Sequence, residues 1–195
     1  MKNKKVLWIA RTAMYLALCV ACQTVLRMFL TGITQVLVVG SLVNLFLIAS
    51  TVTDGFWSGF CVSVAAPVIA FLQGHLPPLV PFMILVVALG NIAIVAMVSL
   101  YKPLYRKTGK EMFSLAFSMI AGSVLKFAVL MGLVRLLVIP YFVNSSSAIP
   151  EKAKAAMTAT FNLNFSWPQL VTALAGSVIF FVIFPAYKQI MKNNK

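Results

Sequence analysis

Two cations stand inside one of the most apolar stretches of the chain. The stretch is GSVLKFAVLMGLVRLLVIP, residues 122–140, and the cations are Lys126 and Arg135. No acidic residue lies within it. A charged side chain at mid-bilayer depth costs about 2.5–3.5 kcal/mol on insertion scales and marks a functional site by default. The chemistry open to such cations is the binding of an anion. Their spacing limits how they can share one. Nine residues at about 100° each leave the two side chains half a turn apart on a straight helix. They cannot clamp one ligand together unless the helix bends, for instance near Gly132, or the long side chains wrap round it.

The elements that must position these residues are membrane helices. Of 195 residues, 62% are hydrophobic and only 10% charged, with a mean hydropathy of +0.99. Soluble domains carry about 25% charged residues. The composition therefore predicts an all-α, polytopic membrane protein. The length allows about six spans of roughly 20 residues in a single domain, residues 1–195. Six apolar runs fit: 6–29, 36–52, 56–72, 79–101, 113–139 and 166–190. They are long and continuous, without the alternation of barrel strands. Between them stand Gly32, Asp54-Gly55, Gly74 through Pro78, Lys102-Pro103, Pro140 and Trp167-Pro168, all of them helix breakers or turn formers.

Charge orients the bundle. Lys and Arg number 16 against 3 acids, a net +13. In a soluble chain this would suggest nucleic acid; in a membrane protein it is the cytoplasmic bias of basic residues, so no nucleic-acid partner is expected. Lys2, Lys4, Lys5 and Arg11 precede or open the first span. Lys102, Arg106, Lys107 and Lys110 fill the loop after the fourth, and Lys188, Lys192 and Lys195 end the last. Six spans place all three groups on one side, so both termini are predicted to be cytoplasmic. Residues 141–165 then lie outside, as a short surface helix or a lid. On this topology Lys126 sits ~20 Å below the outer end of its helix and Arg135 only ~7–8 Å. Arg135 can snorkel to the interface, as can Arg27 near the outer end of the first span. Lys126 is too deep for that. It must pair with helix-end carbonyls or polar side chains, or meet a ligand.

No Asp or Glu falls inside a span: Asp54 and Glu111 read as cytoplasmic and Glu151 as external. A buried cation wants a counter-charge; one the protein does not supply can come from a ligand carboxylate or phosphate, and backbone carbonyls, waters or a neutralised lysine are the alternatives. Other polar and aromatic groups gather toward the same outer side. These are Gln35, Gln73, His75, Asn162, Asn164, Trp167 and Gln169. Amides can read ureido, amide or pteridine-like edges, and an indole can stack on a ring. Taken singly, Trp167 also fits an interfacial anchor and His75 a loop residue.

Signals for chemistry on substrates are missing. No HExxH, GxSxG, P-loop or carboxylate pair occurs, and there is one histidine. The chain reads as a non-enzyme without cofactor or metal. Cys19, Cys22 and Cys61 lie in apolar runs and read as packing residues. The basic start and apolar run imitate a signal peptide, but Arg11 interrupts the run and it continues to Phe29, so it is read as the first span. That span carries Ala13, Ala17 and Ala21. Spacing of four puts small side chains on one face, where another helix can approach closely, whether from a partner or from the same chain.

Six short spans, a basic start, RTAMYLALCVA in the first span, PPLVPFMILVVALGNIAIV with Gly90-Asn91 in the fourth, and NFSWPQL before the sixth together resemble the substrate-binding S component of an energy-coupling factor (ECF) transporter. The resemblance covers the whole chain. It implies an importer subunit that binds a vitamin-like micronutrient in its outward half, in the cytoplasmic membrane of a bacterium. It also implies docking through Ala13, Ala17 and Ala21 onto a membrane T component driven by two ABC-type ATPase subunits. The nickel/cobalt type uses an N-terminal histidine, whereas this chain begins Met1-Lys2-Asn3, which disfavours a metal substrate. Combined with the missing acids, the expectation is an anionic ligand met by Lys126 and Arg135 and covered by Trp167, Asn162, Asn164 and Gln169. The rival readings are a ligand-free membrane scaffold or assembly subunit and a small secondary transporter. The transporter reading lacks an inverted repeat and a membrane acid for coupling.

Overall fold

The computed structural model describes residues 3–147 and 149–193; Met1, Lys2 and Lys195, used above, lie outside it. The chain is all-helical over the described residues: α1 Lys4–Phe29, α2 Gly32–Asp54, α3 Phe56–Leu72, α4 Met83–Ser99, α5 Tyr101–Thr108, α6 Glu111–Leu133, α7 Glu151–Asn164 and α8 Trp167–Asn193. Five helical stretches are long and apolar enough to cross a membrane, and α3, at 17 residues, is the shorter apolar helix beside them. Such runs must be helical in lipid, because only a helix or a closed barrel satisfies its own backbone there. Glycines in the left-handed region set the breaks at Gly32, Gly55 and Gly109.

Three boundaries differ from the sequence expectation. The run expected at 79–101 starts at Met83, because three prolines among residues 77–81 hold the preceding segment in turns. Residues 102–108, expected as loop, belong to the short basic helix α5, which starts at Tyr101. Pro140 does not end α6, which continues as a π-helix over Val134–Asn144. In an α-helix the proline ring clashes with the carbonyl four residues back. The wider π register moves that carbonyl away, and Ser145 Oγ donates to the Pro140 carbonyl at 2.9 Å. The helix expected just after Pro150 is present as α7.

Successive long helices alternate in direction, and α2 touches α1, α3, α4 and α8. α6 closes the other side against α4 and α8, while α7 lies across the π-helical segment and the start of α8. One end of the bundle gathers the start of α1, the end of α2, and the starts of α3 and α6. It is fixed by Trp8 Nε1 donating to the Asp54 carbonyl at 3.0 Å, by Thr12 bonded to Ser58 at 2.9 Å, and by the Lys188–Glu111 ion pair. Both described chain ends lie there. The opposite end carries the 30–35 and 73–82 segments and α7.

Two apolar clusters divide the interior. One joins Leu47, Ile48, Ile94, Val95, Phe180 and Phe184 toward the terminal end. The other joins Val80, Met83, Leu130, Val138, Phe161 and Phe165 toward the opposite end. Lipid is as apolar as leucine, so helices in a bilayer associate through close contact of small residues. The α2–α8 contact is built this way. A Cβ on Gly176 would lie 2.6 Å from the Ser41 carbonyl oxygen and 2.8 Å from the Leu45 nitrogen, both backbone atoms that cannot step aside. Gly176→Ala should therefore lower stability by about 1–3 kcal/mol. Gly132→Ala, where a Cβ meets nothing within 4 Å, should be neutral or raise stability by up to about 1 kcal/mol. Thermal unfolding of both variants in detergent checks this, and equal midpoints would contradict the close crossing.

Candidate functional site

Between the two apolar clusters lies a polar junction fed by five helices. Lys126, on α6, is 3% exposed. Its Nζ donates to Asn44 Oδ1 on α2 at 2.7 Å and to Asn91 Oδ1 on α4 at 2.8 Å. Each asparagine is aimed by a bond on its other side. Asn44 Nδ2 donates to the Gly40 carbonyl at 2.8 Å and to Thr172 Oγ1, on α8, at 3.4 Å. Asn91 Nδ2 donates to the Ser63 carbonyl at 3.4 Å. That carbonyl is open because the residue four positions on is Pro67, which has no N–H to return to it. The proline in α3 thus frees the acceptor that turns the Asn91 oxygen toward the ammonium.

Both acceptors are neutral, so neither supplies a counter-charge to Lys126. The acids of the chain, three in all, are engaged elsewhere. Asp54 pairs with Arg11 at 3.4 Å and Glu151 with Lys154 at 2.6 Å, while Glu111 pairs with Lys188. An ammonium has three donors, and the two asparagines take two of them.

Lys126, Asn44 and Asn91 all line a cavity of about 690 Å³. Just beyond them Leu47, Ile48, Ile94 and Val95 are fully buried, which closes the floor. Asn44 lies twelve residues into α2, so this floor is ~18 Å below the end of the bundle. The walls are apolar, with Val39, Val43, Ala66, Ala70, Val87 and Phe161 among them. Toward the opening the lining turns polar with Gln35, His75, Asn164 and Gln169, and Arg27 adds a second cation. Among the described residues Arg27 has no ion pair. Gly74, with φ of +74°, lets the chain pass against it: a Cβ there would lie 3.3 Å from the guanidinium.

His75 ties the opening together. Its Nε2 is 3.2 Å from the Gln23 carbonyl, which can only accept, so Nε2 carries the proton. Nδ1 then accepts from Gln35 Nε2 at 2.8 Å. The imidazole so links α1, α2 and the segment after α3. Burial holds its pKa below the ordinary value; the Gln23 hydrogen bond opposes this and the Arg27 charge adds to it. The neutral form is therefore the one that fits.

The structure gathers Lys126, Gln35, His75, Asn164 and Gln169 round one cavity. Arg135, Asn162 and Trp167 do not line it, which corrects the expected clamp and cover. Arg135 is exposed on the π-helical segment, as the half-turn from Lys126 requires. Asn162 and Trp167 each stand two residues, about 200° of helix, from Asn164 and Gln169, and Trp167 is 51% exposed. Gln73 lines a smaller recess beside Arg27 and donates to Thr24 Oγ1 at 2.7 Å. Ala13, Ala17 and Ala21 all lie exposed on the face of α1 turned away from the bundle; the buried side chains of α1 are Cys19 and Gln23. Sequence reading passed over Asn44 and Gln23, and took Asn91 only as part of the resemblance and not as a site residue. Their signal was present, an amide in the middle of an apolar run. Among the described residues no group of three His, Cys, Asp or Glu side chains could hold a metal.

Compared with protein-family models, curated proteins and solved structures, the chain has no match in any of the three. The site is therefore read from its own geometry.

Removing one acceptor should expose how the ammonium is held. Asn91→Leu leaves a buried cation with one fewer partner and should cost about 1.5–3 kcal/mol, the worth of a hydrogen bond to a charged group. Adding Lys126→Met to that variant should restore much of the loss, because contacting residues are not additive. A double-mutant cycle by unfolding in detergent measures the coupling, and additive effects would refute it.

Proposed function

We propose that the chain is a membrane-embedded binding subunit that captures a small anionic molecule. The observation that carries this is Lys126. It is a buried cation at the floor of a roomy cavity, held by two neutral amide oxygens, while every acidic side chain is committed elsewhere. A carboxylate or phosphate at the third ammonium donor would supply the missing charge. Arg27 near the opening adds attraction for an entering anion. The volume suits a drug-sized or vitamin-sized ligand.

The wider assignment follows the resemblance. The chain is read as an S component of an ECF-type importer, with six spans, both termini in the cytoplasm and the cavity opening outward. The bias of basic residues to the terminal end supports that orientation. α5 adds Lys102, Arg106 and Lys107 at that end. The exposed Ala13, Ala17 and Ala21 offer the T component a face of small side chains, and two ABC-type ATPase subunits would drive uptake.

Mass spectrometry of small molecules retained by detergent-purified protein tests the site. Wild type and Arg135→Ala should retain the same acidic compound, and Lys126→Ala should lose at least about nine-tenths of it, a tenfold affinity change being about 1.4 kcal/mol. An empty wild-type protein, or equal retention by Lys126→Ala, would sink the reading and favour a scaffold.

Docking is tested separately. Ala17→Trp puts a bulky side chain on the exposed face of α1, far from the cavity lining. It should abolish co-purification with a co-expressed T component while ligand retention stays at the wild-type level. Intact co-purification would rule out docking through that face.

A further inference from the structure

The cavity has a second unmet demand besides the ammonium. Gln23, on α1, is 4% exposed and lines the cavity, and its Oε1 is buried without a hydrogen-bond partner. The main chain of Gln23 is fixed, because its carbonyl accepts from His75. A buried amide oxygen left unpaired costs about 1–3 kcal/mol. An oxygen can be met only by a donor, and the one N–H of His75 is used by the Gln23 carbonyl. Gln35 and Gln169 each have one amide N–H engaged, with His75 Nδ1 and with the Asn164 carbonyl at 2.9 Å, and no side chain of the cavity wall, Arg27 included, is bonded to Gln23 Oε1.

Helix rise places this oxygen relative to Lys126. Gln23 lies six residues before the end of α1, ~9 Å below the end of the bundle. The floor lies ~18 Å below it, so Gln23 is about 9 Å nearer the opening. Val39, Val43, Ala66 and Ala70 line the space alongside and offer no donor.

We infer that Gln23 is a specificity-determining residue, and that the ligand is an acid carrying an N–H or O–H donor several bonds from its anionic group, with an apolar link between. The acid meets Lys126, the link packs on the aliphatic wall, and the donor meets Gln23 Oε1. This rests on the reading of the cavity as an anion site and narrows its ligand class. Simple fatty acids lack the donor and leave Gln23 unpaired. Neutral amides and alcohols lack the charge. A site built around a buried acceptor discriminates strongly against an analogue that lacks the matching donor.

An isosteric probe pair separates the two demands. The probes are 6-acetamidohexanoate, with an amide N–H, and 6-acetoxyhexanoate, in which an ester oxygen replaces that N–H. Calorimetry in detergent would be run on the wild type, Gln23→Met and Lys126→Met. The wild type should bind the amide acid at least about tenfold tighter than the ester acid. Gln23→Met, similar in size but without the carbonyl, should bind the two equally while keeping the wild-type affinity for the ester. Lys126→Met should weaken both. If the wild type does not distinguish the probes, or Gln23→Met distinguishes them as well as wild type does, the Gln23 inference fails while the Lys126 site stands. If neither acid binds, or Lys126→Met weakens neither, the anion site fails and this inference with it. Thermal unfolding of each variant shows whether it remains folded, and Gln23→Asn, which keeps a shortened carbonyl, should retain part of the discrimination.

Discussion

The ammonium of Lys126, held between the amide oxygens of Asn44 and Asn91, is the interaction on which the interior is arranged. A lysine this deep cannot snorkel, and the bundle offers it dipoles instead of a carboxylate. Those dipoles must be aimed, and aiming them draws in more of the structure. Asn44 is turned by Gly40 and Thr172, and α2 can lie near Thr172 because Gly176 lets α8 approach its backbone. Asn91 is turned by Ser63, whose carbonyl is free because Pro67 follows it in α3. A glycine on α8 and a proline on α3 thus act on one cation of α6 from opposite sides. The arrangement lowers the cost of burying the ammonium without supplying a counter-charge.

The helices were legible in the sequence because lipid permits little else. Continuous apolar runs between glycine and proline breaks gave every long helix to within a few residues. Two of the misplaced boundaries share a cause: Lys102-Pro103 and Pro140 were treated as punctuation. Prolines among residues 77–81 do hold turns, yet Pro140 sits inside a continuous π-helical stretch, and Pro67 and Pro185 sit inside α3 and α8. Whether proline stops a helix depends on where the displaced carbonyl goes, and that is settled by neighbours distant in sequence.

The candidate site was legible in part for a different reason. Charge and depth singled out Lys126, and the half-turn to Arg135 already argued against a shared clamp. What linear reading lacks is the face each polar residue takes. Asn164 and Gln169 line the cavity while Asn162 and Trp167, two positions away, do not. These residues lie toward one end of the bundle, but that did not fix their direction around the helix. Asn44, Asn91 and Gln23 were hidden more simply. A neutral amide in an apolar run carries no charge penalty to draw notice, and its place emerges only when packing brings Asn44 and Asn91 against an ammonium and Gln23 to the cavity wall.

α1 joins the two surfaces on which the functional reading depends, and it does so while hardly belonging to the core. Only Cys19 and Gln23 are buried on it. Its attachment is polar and sits near its ends. Trp8 and Arg11 reach Asp54, Thr12 meets Ser58, and Tyr15 meets Thr53 at one end. His75 meets the Gln23 carbonyl and Gln73 meets Thr24 at the other. In water a helix so thinly buried would be a liability. In a bilayer its outward apolar side chains face lipid at no hydrophobic cost, so hydrogen bonds alone can set its register. The inward face then supplies Gln23 and Arg27 to the cavity wall, and the outward face presents Ala13, Ala17 and Ala21. A ligand that bonds Gln23 would therefore pull on a long helix whose position is set by a few polar contacts and whose exposed face carries Ala13, Ala17 and Ala21.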